Sequence, residues 1–102
     1  MDDLKLPSTK GALILELLSG SRELYGLEIV AASNGQLTRG GIYVHLDRLE
    51  DRGFVSSRTV KDKRASGMSR RLYQITGLGQ RALLARQSAE AVMAAHLLPN
   101  GA

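Results

Sequence analysis

RGGIYVHLDRLEDRGFVSSRTVKDKRASGMSRRLYQIT, Arg39 to Thr76, decides the fold, because it changes hydrophobic period halfway along. In its first half Ile42, Leu46 and Leu49 recur at intervals of four and three, the stripe of an amphipathic helix, with Thr38 as N-cap and Gly53 as terminator. In its second half FVSSRTV and RRLYQIT are β-rich runs. Phe54, Val55 and Val60 mark the first, and Arg71, Tyr73 and Ile75 alternate with Arg70, Leu72 and Gln74 in the second. KDKRASGMS lies between them as a turn. A helix that runs straight into a hairpin is the expectation.

Working outward, Ser8 caps a first helix after Pro7, with Leu13, Ile14, Leu17 and Leu18 on one side and Gly20 at its end. ELYGLEIVAASNG then predicts a short second helix with Leu24, Leu27, Val30 and Ala31 inward, closed by Asn34 and Gly35. Gln36 and Leu37 are read as briefly extended. After the hairpin, Thr76 caps a last helix over Gly77 to Leu98, about 30 Å long at 1.5 Å per residue, which stops before Pro99. Along it Ala82, Ala85, Ala89, Val92 and His96 form a heptad-like stripe with Met93 beside it. Three short helices cannot cover so long a partner, so its far end is expected to pack on a second copy of the chain.

Composition agrees with one small domain. The 102 residues are 43% hydrophobic, 24% charged and 4% aromatic, so aliphatic side chains must fill one modest core. There is no cysteine and only two histidines, His45 and His96, far apart in sequence, which argues against a disulfide framework and against zinc. MDDLKLPSTK has no apolar run long enough for a signal peptide or a membrane span, and a cytoplasmic location is expected. Of 14 Lys and Arg and 10 Asp and Glu, six bases and a single acid, Asp62, fall between Arg58 and Arg71. The positive excess of the chain therefore sits in the hairpin, which points to a nucleic-acid partner.

The order helix, helix, helix, basic hairpin, helix is that of a winged helix-turn-helix module, α+β and mostly helical, with a three-helix core and a two-stranded wing. Within it, LYGLEIV (Leu24 to Val30), RGGIYVHLDRLEDRGFV (Arg39 to Val55) and RRLYQITGLGQRAL (Arg70 to Leu83) are arranged in a familiar order. The chain resembles the PadR-like transcriptional regulators in the Tyr25-Gly26 opening of the second helix and in Gly40, Ile42 and Tyr43. Leu49, Glu50 and Gly53, and the strand end Tyr73, Ile75 and Thr76, complete the likeness. It departs from that pattern at Gly41, where many relatives carry Thr, Ser or Ala, in a short wing, and in having no tryptophan of the kind that stacks flat ligands in some PadR-like dimers.

The resemblance implies residues 1–76 as a DNA-binding unit and residues 77–102 as a dimerisation helix and tail. It implies a homodimer that binds duplex DNA at a palindrome and represses, with room for a small-molecule effector between the long helices. On the third helix, Thr38, Arg39, Gly40, Gly41, Tyr43, Val44 and Arg48 are the expected DNA contacts. Arg39 suits a guanine edge or a phosphate, Tyr43 a phosphate, and Val44 a thymine methyl. Lys61, Lys63, Arg64 and Arg70 of the wing, with Lys10, are expected to neutralise phosphates. Ala82, Ala85, Ala89, Val92, Met93 and His96 are the expected dimer contacts. Asp47, Glu50 and Asp51 would repel phosphate and are expected to turn away or pair with Arg48 and Arg52. No nucleophile or paired carboxylate converges on His45, so neither catalysis nor a cofactor or metal is expected. The rival reading is a winged helix that binds a protein partner through its acidic side.

Overall fold

The computed structural model describes residues 6–20, 22–61 and 69–97. Chain order is α1 (Thr9–Leu18), β1 (Leu24–Tyr25), α2 (Gly26–Ala32), α3 (Ile42–Asp51), β2 (Val55–Lys61), β3 (Ser69–Ile75) and α4 (Gly77–Leu97). This is the winged helix expected from the change of period at Gly53. The expected turn tip, with Lys63 and Arg64, lies outside the described residues, as does the stop at Pro99.

Each helix start has a local cause. The Gly11 N–H donates to Ser8 Oγ at 3.0 Å, and the Gly79 N–H donates to Thr76 Oγ1 at 3.0 Å. Both are the caps that the sequence predicts. Thr38 works one turn earlier than expected. The Gly41 N–H reaches its Oγ1 at 3.0 Å, but the regular helix begins at Ile42, with Gly41 as an N-cap that has no side-chain bond. Because the Thr38 carbonyl also accepts from the Ile42 N–H at 3.0 Å, Thr38 caps a turn that leads into α3. Gly20, Asn34, Gly35 and Gly53 all adopt positive φ, which closes α1, α2 and α3 where the sequence expects breaks.

Two apolar stripes differ from expectation. In α2 the inward residues are Gly26 and Ile29, while Leu27 and Ala31 are exposed and Val30 is half-buried. Tyr25 is extended, at φ −73° and ψ 155°, so the helix starts after it and a helical phase counted from Leu24 does not hold. Leu24 instead enters a third strand, which the two-stranded reading of the hairpin lacks. β1 pairs antiparallel with β3 (Leu24 opposite Tyr73, Tyr25 opposite Leu72), giving the sheet order β1-β3-β2. In α1 the buried residues are Gly11, Ala12, Ile14, Leu15 and Leu18, with Leu13 and Leu17 only half-buried. The helix touches α3, α4 and the sheet, so its contact surface is wider than one stripe.

The core joins Ile14, Leu15 and Leu18 of α1 to Ile29, Leu37, Ile42, Leu46 and Leu49, and to Phe54, Val55, Tyr73, Ile75 and Leu83. Burying each such aliphatic side chain contributes about 1.5–3 kcal/mol. Leu37 is core, not merely extended backbone, and Ser33 explains its placement. Ser33 Oγ donates to the Val30 carbonyl at 2.7 Å and accepts from the buried Leu37 N–H at 3.0 Å, which bends the chain from α2 towards α3. At the other end of the core Arg86 of α4 donates to the Pro7 carbonyl and, at 3.0 Å, to Thr9 Oγ1. The last helix is thereby tied to the start of the first.

Candidate nucleic-acid interface

With Ile42, Leu46 and Leu49 buried, α3 presents Tyr43, Val44, Asp47 and Arg48 to solvent. Tyr43, at 45% exposure, and Val44, at 50%, are large apolar side chains left on the solvent face of the helix. Thr38, Arg39 and Gly40 are exposed on the turn before it, and Gly41 is half-buried. A Cβ at Gly40 would meet nothing within 4 Å, and one at Gly41 only Thr38 Oγ1 at 3.1 Å. The chain's own packing does not demand a glycine at 40, where the backbone is open to approach from outside, whereas a Cβ at Gly41 would press on the Thr38 hydroxyl.

Tyr43 is held by a contact that links two segments of the sequence. A Cβ at Gly26 would lie 2.7 Å from Tyr43 Cε1 and 2.9 Å from Cζ and from the hydroxyl oxygen. The phenol therefore lies across the first residue of α2. No periodicity joins residues 26 and 43, and only the fold brings them together.

β2 and β3 pair in register from Val55 opposite Ile75 to Lys61 opposite Ser69. Successive side chains alternate between the two faces of the sheet. Tyr73 and Ile75 of one face enter the core, and Arg71 continues that face towards the wing tip, exposed. Arg70 belongs to the other face, where its guanidinium lies 3.8 Å from the centre of the Tyr25 ring, a cation–π stack. Lys61, at the end of β2, is exposed, as is Lys10 in the first turn of α1. Arg58 pairs with an acid from outside the wing. Its Nε and Nη2 bond Glu23 Oε2 and Oε1 at 2.8 and 2.9 Å. The pairing with Arg58 draws the Glu23 carboxyl below the usual glutamate value. One of the six bases counted in the hairpin is thus neutralised by an acid from outside it.

The acids of α3 were expected to turn away from DNA or to pair with Arg48 and Arg52. Glu50 Oε2 accepts from Ser57 Oγ of β2 at 2.7 Å, bonding the helix to the wing. Asp47 faces a groove shared with Tyr43, Arg70 and Arg71. Asp51 faces a cleft of about 520 Å³ with His45, Arg48 and Arg52, and the Arg52 guanidinium lies 4.6 Å from the centre of the Phe54 ring. Burial pushes the Tyr73 phenol up from its ordinary value; Arg71 opposes the rise, while Asp47, Glu50 and Tyr43 add to it.

On α4 the stripe divides. Ala82 is half-buried against the chain's own core, whereas Ala85, Ala89, Val92, Met93 and His96 are exposed. Leu6, Ala89, Met93 and Ala94 line a shallow hollow of about 380 Å³ with Arg86 and Glu90. Among the described residues no three His, Asp or Glu side chains are grouped to hold a metal, and no helix is long and apolar enough to cross a membrane.

This architecture recurs in solved structures. Bacillus subtilis PadR, crystallised in complex with operator DNA, superposes at a TM-score of 0.70 with 27% identity. The match covers 78% of this chain and 46% of that one, so this chain spans less than half the length of that relative. A PadR family transcriptional regulator from Eggerthella lenta gives a TM-score of 0.75 at 23% identity over 87% of this chain and 78% of that one. One from Clostridium difficile gives 0.70 at 23% over 89% and 100%. No curated protein sequence matches the chain at a significant level. The family model for the PadR-like transcriptional regulators, however, aligns with residues 14–85, from within α1 into α4. That span takes in the helix-turn-helix, the wing and the glycine-bearing start of the last helix, and the chain accordingly belongs to the PadR-like family of transcriptional regulators.

Proposed function

We propose that the protein is a sequence-specific duplex-DNA-binding regulator that acts as a dimeric repressor. The observation that carries this reading is the exposed face of α3, with Tyr43 and Val44 outward and the open glycine turn before it, lying beside a wing that carries Lys61, Arg70 and Arg71. Arg39 and Val44 read base edges in the major groove, Tyr43 and Arg48 hold backbone, and the wing and Lys10 neutralise flanking phosphates. The operator-bound Bacillus subtilis relative supports the same use of the fold.

Dimerisation supplies the second half-site. Residues 87–96 of α4 are exposed along their whole described length, including Val92 at 56% and Met93 at 60%, and such a surface suits a second copy. Two recognition helices about 34 Å apart would enter successive major grooves. An effector seated in the hollow at Leu6 and Met93, on the exposed side of α4, would release the operator by favouring a different separation of the two copies. Fluorescence anisotropy against labelled duplex at rising salt tests the DNA reading. Affinity should fall steeply as phosphate-bound counterions are released and re-bound, and binding indifferent to salt would refute it. Sedimentation of a Val92→Glu, Met93→Glu variant tests the dimer, which should dissociate to monomer while the fold persists.

A further inference from the structure

Arg86 is the last residue of α4 that the rest of the chain holds. Before it Gly79 and Leu83 are buried and Ala82 is half-buried, whereas residues 87–96 are all exposed. The helix therefore leaves the winged-helix unit as an arm about 15 Å long, at 1.5 Å per residue. Arg86 itself is half-buried, and it donates from both ends of its fork, Nη1 to the Pro7 carbonyl and Nη2 to Thr9 Oγ1 at 3.0 Å. Glu90, one turn further along, accepts from Nη2 at 3.4 Å and holds the guanidinium from the solvent side. The Pro7 carbonyl is outside the ladder of α1, which begins with the Ser8 carbonyl accepting from the Ala12 N–H at 2.7 Å. The start of α1 also stands against the recognition helix, because a Cβ at Gly11 would lie 3.3 Å from Leu49 Cδ2. The clamp thus refers the direction of the arm, across one turn of α1, to α3.

Ridge-into-groove packing fixes a crossing angle only to within about 15–20°. A swing of about 15° would carry the end of such an arm about 4 Å. That exceeds the rise of one base pair, about 3.4 Å, and a two-fold dimer applies the swing twice. One hydrogen bond lets a side chain pivot, but two acceptors taken by one planar fork fix direction as well as distance. We infer that Arg86 is a positioning residue. By locking α4 to the start of α1 it fixes the angle between the arm and the recognition helix, and hence the half-site spacing that the dimer accepts. The inference rests on the dimeric DNA-binding reading, and its test separates the two.

A randomised duplex pool is selected with full-length wild type, Arg86→Ala and Arg86→Lys, and the retained sequences are read for half-site and for spacing. The wild type should retain a palindrome at one spacing. Both variants should retain the same half-sites spread over centres longer and shorter by a base pair or two. Their discrimination against a lengthened centre should fall at least about tenfold, the scale of one charged hydrogen bond, while affinity for a duplex with a single half-site is unchanged in Arg86→Lys. The lysine keeps the charge but has no fork, so it separates geometry from loss of a cation. A second measurement needs no DNA. The chain has no cysteine, so Glu16→Cys, at an exposed position of α1, carries one spin label per protomer. Electron–electron distances across the wild-type dimer should be narrow, and Arg86→Lys should broaden them by about 4 Å. If both Arg86 variants fail to fold, Thr9→Val, which removes one of the two anchors, should show the same effects to a smaller degree. Folded, dimeric Arg86 variants that keep the wild-type spacing and distance width, even with a lowered Tm, overturn the inference while the DNA reading stands. A wild type that retains no palindrome overturns the dimeric DNA reading and the inference with it.

Discussion

Replacing Gly79 by Ala should be among the most damaging single-methyl additions in this molecule, although helix propensity alone favours the change by up to about 1 kcal/mol. A Cβ at Gly79 would stand 2.0 Å from the Phe54 carbonyl oxygen and 2.9 Å from Phe54 C and Ile75 Cγ1. Side-chain carbons essentially never come within 3.0 Å of such atoms, so the first turn of α4 must retreat by at least 1 Å. The retreat strains a set of bonds that hold α4 to the end of α3. The Thr76 N–H donates to the Phe54 carbonyl at 3.1 Å, and Thr76 Oγ1 donates to the Gly53 carbonyl at 2.6 Å while accepting from the Gly79 N–H. Overpacking costs about 1–3 kcal/mol, and two weakened hydrogen bonds about 1 kcal/mol each. After subtracting the propensity gain, the expected loss is about 2–4 kcal/mol. At roughly 4–8 °C per kcal/mol for a domain of this size, Tm should fall by roughly 10–30 °C. Far-UV circular dichroism melts at one fixed protein concentration measure it, since dimer formation makes Tm depend on concentration. Gly40→Ala is the control; its Cβ meets nothing within 4 Å, and it should be neutral or stabilising by up to about 1 kcal/mol. A Gly79→Ala protein that melts at or above the wild-type temperature would refute the steric argument.

Ser33→Ala should cost about 1–3 kcal/mol, because it leaves the buried Leu37 N–H without an acceptor; hydrogen exchange at Leu37 should accelerate, and unchanged protection there would contradict the account. Glu23 should titrate below the ordinary glutamate value, since the Arg58 guanidinium lowers its carboxyl. A lowered folded value means that the pair contributes stability above the ordinary glutamate pKa of about 4.3 and loses it as pH falls through the lowered value. Carbon-detected NMR titration of the Glu23 carboxyl should show this, with Arg58→Ala returning Glu23 to the ordinary range; a Glu23 that titrates alike in both proteins would rule the pair out as cause.

The helices and the wing were legible because their signals are local. Ser8 and Thr76 cap within three residues of themselves, Gly53 ends a clean stripe, and the alternation through Tyr73 and Ile75 sets a strand face. The α2 stripe was not legible, since the extended Tyr25 starts the helix later and strand pairing, a contact between residues nearly fifty positions apart, claims Leu24. Leu37 gives no periodic signal, and its burial follows from the Ser33 turn. Among the charged residues, sequence proximity put Arg58, Arg70 and Arg71 in one basic run. The pleat and a distant Glu23 divide them into an ion-paired base, a ring-stacked base and a groove-facing base. Charge counts locate a basic segment, but only pairing geometry says which of its members remain available to an anion.

The contact between Gly26 and Tyr43 sets a rule for anyone who would redesign this regulator. A recognition helix is tempting to treat as a cassette, lifted out whole and exchanged to change the operator that is read. Here the cassette has a socket in another element. A transplanted α3 that keeps an aromatic ring at 43 needs a residue without a side chain at 26, and one that replaces the ring leaves α2 with an uncovered backbone. Successful exchanges should therefore move residues 26 and 43 as a pair, and libraries that vary α3 alone should return variants that lose operator binding without gaining a new one.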